Sequence, residues 1–498
     1  MPTSSDNSNY MKRFPIKKWP EKQWRAELAK LDAELAAKHY AIDYSSTPAF
    51  ENVAIYTPAL SQGWINTVQR AASDPKKNPL PQLPDFQLTA EDLQFTNPTS
   101  RLCFYPWVLY SAGQAINTKT KHANKAWSNN WLTAKPRDSR VVVIGDSGGF
   151  QIQEQSMAFA GDPTVVRILR WLEAVADQSM VMDFPTGKIA LGNLIPHTQR
   201  LLREGVPISD IVNRTGIDSG FITCLIQTIR NNRTYVRERV EGSTRLLNVL
   251  QGRNEQESRE WFDRVKVFPF DGWAFAGKHH SELAMTLRRL ISMRDAGLLR
   301  RCKWIHFLGV STFKVATVLS YLQRSIRRHT DASDLQITFD SKSPIDSIIN
   351  GYRPLVGYDF DPTKWNFRVH PLKVSAMQND DRFLIKLGEE WQRAGEHRFV
   401  PRTALSYRLR LNQLVKRIAK TGKIQPDGVQ QALMIHHNTQ VYFEGFRRAY
   451  SYLGEQDFGR RPSSIQFMEQ YIDAVFRSET PMSFIDDAEF DLNRLAME

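Results

Sequence analysis

Cysteine is scarce in this chain, with 3 in 498 residues, at positions Cys103, Cys224 and Cys302. They are scattered and form no CxxC pair, so neither a disulfide framework nor a thiolate zinc site is expected. Long apolar runs are lacking too. None approaches the ~20 residues that span a bilayer, so no membrane partner is expected. The stretch Met1 to Asn9 is polar and has no apolar core of a secretion signal. These absences lead us to expect a reducing, cytoplasmic location. No internal repeat is apparent. Negative charge is the sign in short supply: 53 Asp and Glu stand against 66 Lys and Arg, for a net +13. That excess favours a polyanionic partner through long-range attraction and says nothing about fold. Aromatics are plentiful, with 12 Trp, 15 Tyr and 27 Phe available for cores and base stacking. The length suits one large barrel domain with extensions.

The most distinctive stretch runs from Val141 through Ile144 into Gly145-Asp146-Ser147-Gly148-Gly149-Phe150-Gln151. Four apolar, mostly β-branched residues read as a buried strand. Asp146 follows its C-terminal end, where α/β barrels keep their chemistry. Ser147-Gly148-Gly149 is a tight turn that lets backbone approach a ligand. Two other readings stand beside this one. Asp146 could simply cap a following helix. The sequence Gly-Asp-Ser-Gly-Gly also resembles the nucleophile loop of trypsin-like proteases. That family needs an upstream His and Asp on a cysteine-rich, all-β chain. Only His39 and His122 lie upstream here, both in polar, helix-like surroundings.

Along the chain, residues 1–44 read as an N-terminal extension with a charged helix over Glu21 to Lys38. Residues 45–346 read as the main domain. Its strands are Asn52–Tyr56, one beginning at Leu102 and running toward Tyr110, Val141–Ile144, Met180–Met182, Leu246–Leu250, Trp273–Phe275, Ile305–Leu308 and Ile337–Phe339. Amphipathic helices are expected over Pro163–Ala176, Phe221–Val240, Ser281–Met293 and Thr312–Arg327. Eight strands alternating with helices predict an α/β fold of the TIM (β/α)8 type. Residues 347–430 read as an insertion after the last barrel strand, carrying a basic helix over Ala404–Lys420. Residues 431–498 read as the last barrel helix, Ala432–Leu453, and a C-terminal tail.

Six strand ends carry distinctive residues: Asp146, Asp183, Gln251-Gly252, Gly277, Leu308-Gly309 and Asp340. Carboxylates converging on one barrel mouth would repel, so burial and crowding should raise at least one pKa. The ordered series DSGGFQ, Asp183 after a strand, LQG, a glycine-ending strand, LGV and FDS resembles the guanine transglycosylases, from about Thr47 to Ser341. These are TIM-barrel enzymes that exchange guanine in nucleic acid for a 7-deazaguanine. The resemblance implies that Asp340 is the nucleophile and Asp146 the acid/base that contacts the base. It implies that Phe150 stacks on the purine while Leu308 closes its other face. Asp183 and Gln251 would read the purine's polar edge, and Gly277 would offer a backbone contact. Ser147, Gly148, Gly149, Gln151, Gly252 and Gly309 belong to the same expected substrate site.

The chain departs from the family pattern in three ways. His437 lies where members acting on transfer RNA place a zinc-binding histidine, but the three closely spaced cysteines of that site are absent. No metal and no other cofactor is therefore expected. Ala276 stands for a glycine, and Lys278 for an apolar residue beside the base pocket. No separate RNA-binding domain is recognisable at the C-terminus. The missing cysteines and the long insertion make the chain resemble most the branch that acts on DNA in 7-deazaguanine modification systems. The implied partners are DNA, a 7-deazaguanine base such as 7-cyano-7-deazaguanine, and other proteins of such a system. A transfer RNA transglycosylase without zinc, and a nucleic-acid-binding subunit without catalysis, remain alternatives. Candidate phosphate contacts are Arg230, Arg233 and Arg237 on one helical stripe, and Arg408, Lys416, Arg417 and Lys420 on the basic helix. The pairs Arg327-Arg328, Arg447-Arg448 and Arg460-Arg461 are further candidates.

Overall fold

The computed structural model describes residues 42–44, 52–116, 135–187, 189, 194–373, 377–417, 423–454 and 459–497. The helix expected over Glu21–Lys38, together with His39, His122 and Lys420, lies outside them. The described residues fall into two compact units. One comprises the described parts of Ala49–Leu60, Trp107–Ser341 and Ser463–Glu498; the other takes in those of Met1–Pro48, Ser61–Pro106 and Lys342–Pro462.

The first unit is a near-closed barrel of eight parallel strands with helices between them. Its strands are β1 (Ile55–Pro58), β2 (Trp107–Ser111), β3 (Val142–Asp146), β4 (Gln178–Met180), β5 (Arg245–Leu250), β6 (Gly272–Phe275), β7 (Trp304–Phe307) and β8 (Gln336–Ser341). Consecutive strands pair in order, and β8 pairs with β1. The ring closes where Ala59 bridges Leu109 and the Leu60 N–H donates to the Leu109 carbonyl at 2.8 Å. Pairing in this order fixes the mouth: every strand presents its C-terminal end to the same rim.

Local chemistry explains the helices that follow the strands. Helix α1 (Gly149–Gln153) is a short turn after β3. Helix α2 (Asp162–Val175) starts after Gly161, whose φ of 78° suits glycine, with Pro163 in its first turn, where the missing N–H costs nothing. Helix α3 (Ser219–Glu238) is capped by Asp218, which accepts from the Phe221 N–H at 2.9 Å. Helix α4 (Glu255–Val265) begins with Asn254 accepting from Glu257 N–H at 3.0 Å. Helix α5 (Leu283–Asp295) and helix α6 (Phe313–His329) complete the series, α6 being capped by Thr312. Their apolar faces fill the layer outside the strands, where Trp171, Leu287 and Leu322 are fully buried.

One expected strand is divided. The run from Leu102 toward Tyr110 is interrupted at Pro106, which has no N–H to offer a ladder. Cys103–Phe104 pairs with Ile42–Asp43 in the second unit, and the barrel strand is Trp107–Ser111. The C-terminal tail forms three helices, Ser463–Arg477, Pro481–Asp487 and Glu489–Met497. They pack on α5 and α6. Arg288 of α5 is bonded to Asp486 at 2.6 Å and to Glu489 at 2.8 Å. Asp473 meets His329 at 2.7 Å and Arg328 at 3.0 Å. The acidic end of the chain thus holds basic residues of the barrel helices.

In the second unit, the helix expected over Ala432–Leu453 forms as Gly428–Ser451. It packs on the helices Gln62–Ser73 and Ser343–Ile349 and on the strand Leu355–Asp361. That strand is the centre of a three-stranded antiparallel sheet with Asn366–Pro371 and Arg398–Phe399. The Asn438 side chain fastens the helix to backbone: its amide N–H donates to the Pro344 and Arg353 carbonyls, and its oxygen accepts from Leu355 N–H at 2.9 Å. The basic helix expected over Ala404–Lys420 is corrected. Among the described residues of that run α-helix covers only Ala404–Arg408; a single 3₁₀ turn follows over Leu411–Leu414, and Lys416–Arg417 pairs as strand with Ile424–Gln425. Among the described residues no helix is long and apolar enough to cross a membrane.

Candidate active site at the barrel mouth

Asp146 is the last residue of β3, in register with Ser111 of β2. Side chains alternate along a strand, so Ile144 and Asp146 share one face and Gly145 the other. A Cβ on Gly145 would sit 2.5 Å from Leu172 of α2, so glycine lets that helix close over the strand. Asp146 keeps some open surface, yet protein encloses it enough that burial raises its carboxyl pKa. The Asp340 charge adds to the rise; the Ser111 hydroxyl, the Gly148 N–H and His306 act against it. The turn that follows is close-packed. Gly148 has φ of 82°, and a Cβ there would meet Gly113 backbone at 2.6 Å. A Cβ on Gly149 would meet the Asp183 carbonyl at 2.5 Å. The Ser147 hydroxyl and the Gln151 side-chain oxygen are buried, with no hydrogen-bond partner among the described residues. Orphaned polar atoms beside a carboxylate suit a site that receives a polar ligand.

Asp183 lies just beyond β4 and is 7% exposed. Gln251, just beyond β5, donates its amide N–H to the Asp183 carboxyl at 2.7 Å, and Thr186 donates to the Gln251 oxygen at 3.3 Å. Burial pushes the Asp183 carboxyl up to about 7, and the Asp146 charge adds to it, against the Gln251 hydrogen bond. Near neutral pH this carboxyl therefore holds a proton in part of the population and can donate as well as accept.

Asp340 sits in β8, on the same face as Thr338. One carboxylate oxygen, Oδ1, accepts the Gly309 N–H at 2.9 Å, and His306 Nε2 of β7 lies 3.3 Å from it. Both of these contacts are to Oδ1, and Oδ2 accepts no hydrogen bond from a described residue. Gly309 reaches Asp340 through a left-handed turn, φ 74°. His306 is fully buried and has its other nitrogen, Nδ1, 2.8 Å from the Thr338 hydroxyl. Sequence reasoning passed over His306. The signal was present as a histidine on the strand before LGV, two residues before an expected site residue.

The remaining expected residues divide. Phe150, in α1, is 50% exposed. Leu308 follows β7 and is partly exposed. Gly252 and Gly277 touch: a Cβ on Gly277 would meet the Gly252 carbonyl at 2.6 Å. The stripe on α3 is engaged with carboxylates. Arg230 pairs with Glu204, and Arg237 with Asp162 at 3.2 Å and Glu238 at 2.9 Å, while Arg233 is exposed. Helix α3 runs back from the mouth to the start of β5, so Arg237 in its last turn lies toward the opposite end of the barrel. Arg408 is corrected outright. Its side chain is fully buried and makes a forked pair with Asp85, Nη2 lying 2.7 Å from Oδ2, so it cannot be a surface phosphate contact. Lys416 and Arg417 stand in a short strand of the second unit, and their side chains are not described. Arg327 donates to the Leu335 carbonyl, Arg328 meets Asp473, Arg447 meets Glu444, the Arg448 guanidinium lies over Phe399, and Arg461 donates to the Tyr452 and Gly454 carbonyls.

His437 has both ring nitrogens engaged, Nδ1 with the Thr403 hydroxyl at 2.8 Å and Nε2 with the Leu355 carbonyl at 2.7 Å. Among the described residues no group of three or more His, Cys, Asp or Glu could hold a metal ion. No family model matches this chain, and no protein of curated function matches it.

Proposed function

We propose that this protein is a nucleic-acid guanine transglycosylase that replaces guanine in DNA by a 7-deazaguanine. The observation that carries the reading is the placement of two carboxyls, Asp146 with a raised pKa and Asp340 with one oxygen that no described residue hydrogen-bonds, on one barrel rim close enough to interact electrostatically. The logic is that of a retaining glycosidase. The guanine leaves the base stack to enter the mouth. An electron pair of Asp340 Oδ2 forms a bond to the anomeric carbon while the bond to guanine N9 breaks. Asp146 gives its proton to the departing guanine. The deazaguanine enters, loses its N9 proton to Asp146 and attacks the same carbon, releasing Asp340. Two inversions retain the stereochemistry, and no redox or nucleotide cofactor takes part.

Phe150 supports the reading as an exposed ring for stacking, and Asp183 with Gln251 as a donor–acceptor pair for a purine edge. DNA is favoured over transfer RNA because the cysteines of the transfer RNA enzymes are missing and His437 is committed to Thr403 and Leu355. The experiment is base exchange with radiolabelled guanine, offered duplex DNA or unmodified transfer RNA. Label entering DNA is expected. Label entering transfer RNA alone moves the protein to the zinc-free RNA reading, and label in neither polymer refutes the reaction.

A further inference from the structure

We propose that His306 is a positioning residue, held in one tautomer by Trp304 and Thr338, that turns Asp340 so that Oδ2 is its reacting oxygen. The inference rests on the reaction proposed above for its consequences, but its geometry stands by itself. Trp304 Nε1–H can only donate, and it donates to the Thr338 oxygen at 2.9 Å. Thr338 is fully buried, so its own O–H needs an acceptor. Nδ1 of His306, at 2.8 Å, is the partner within reach. An Nδ1 that accepts leaves the proton of a neutral imidazole on Nε2, which then faces Asp340 Oδ1 as a donor at 3.3 Å.

The chain Trp304, Thr338, His306, Asp340 is thus directional. Each hydrogen bond fixes the donor of the next. Together with the Gly309 N–H it gives Oδ1 two donors. A carboxylate with one oxygen so held has its second oxygen presented in a defined direction. The strand register supplies the rigidity: Thr338 pairs with His306 across the β7–β8 ladder, and Trp304 with Gln336 two residues before it. Trp304, Thr338 and His306 would act on the substrate only through Asp340, so their effect is on orientation, and it belongs in kcat rather than in binding.

Two measurements test this. In protein labelled with nitrogen-15 histidine, the signals lost in His306→Gln identify His306. We expect an unprotonated Nδ1 and a protonated Nε2; the opposite tautomer overturns the inference. In exchange assays, His306→Ala should lower kcat by roughly 100-fold, the cost typical of about 1 Å of misplacement, with KM for DNA unchanged. His306→Gln, which keeps a donor near Oδ1, should recover much of that loss. Thr338→Val should also lower kcat, and Thr338→Ser should restore it. Equal losses in His306→Ala and His306→Gln, or wild-type kcat in Thr338→Val, overturn the positioning role. If the wild type exchanges no base in any polymer, the proposed reaction is wrong, and the tautomer alone then decides this inference.

Discussion

Asp183 offers a quantitative test that does not depend on knowing the substrate. Its carboxyl is buried and carried from the ordinary 3.8 up to about 7. The gap is roughly three pH units. At about 1.36 kcal/mol per unit, ionising this group in the folded protein costs about 4 kcal/mol. A raised pKa means that the folded state binds the proton more tightly than the unfolded state. The stabilisation is complete below pH 3.8 and is lost as pH rises through 7. About 1.7 units of that fall lie between pH 5 and pH 7, or roughly 2.3 kcal/mol. Asp183→Asn replaces the carboxyl by a neutral group of the same shape that can still accept from Gln251. Urea unfolding at pH 5, 6, 7 and 8 should show wild-type stability falling more steeply than that of the mutant, with the mutant the more stable at pH 8. Asp146 contributes in the same direction in both proteins, so the difference between the two curves isolates Asp183 and its coupling to Asp146. Parallel curves would refute the raised pKa and, with it, the donor role given to Asp183.

Other outcomes follow from the same geometry. Asp340→Ala should abolish base exchange while leaving the fold intact by circular dichroism; wild-type protein should be trapped on guanine-containing DNA as a denaturant-resistant adduct and the mutant should not. Gly149→Ala must push a methyl against the Asp183 carbonyl, and should cost roughly 1–3 kcal/mol of stability along with most activity, read by thermal unfolding and exchange. Arg408→Ala removes a fully buried guanidinium whose partner, Asp85, stays open to water, and should destabilise the protein by roughly 1–3 kcal/mol; a loss of DNA affinity without any loss of stability would contradict the burial of Arg408. Elemental analysis should find well under one zinc per chain, because His437 has both nitrogens committed and the thiols of Cys103, Cys224 and Cys302 are each raised by burial.

Much of this architecture is legible in the order of residues because its causes are local. Short apolar runs ending in Gly or Asp, separated by amphipathic helices, are enough to read an eight-stranded parallel barrel. A strand's end and its direction follow from that pattern, so the positions of Asp146, Asp183, Gln251, Leu308 and Asp340 at strand ends could be read before any coordinates. The caps Asp218, Asn254 and Thr312 act over three residues and are equally local. What tertiary structure alone decided involves partners distant in the chain. His306 meets Asp340 across 34 positions, and only the register of β7 on β8 brings them together. Arg408 looked like one of several surface cations on a basic helix. Its partner is Asp85, 323 positions away, and no period of the local sequence could reveal that pairing. The run Ala404–Lys420 has helical spacing, yet its backbone turns to a 3₁₀ segment and a strand, as Leu411 and Leu414 are buried there. Burial of these leucines in a tertiary core outweighs a propensity of a few tenths of a kcal/mol per residue. The pKa of Asp183 belongs to the same class: the residue type sets 3.8, and only its enclosure by the assembled barrel carries it to about 7.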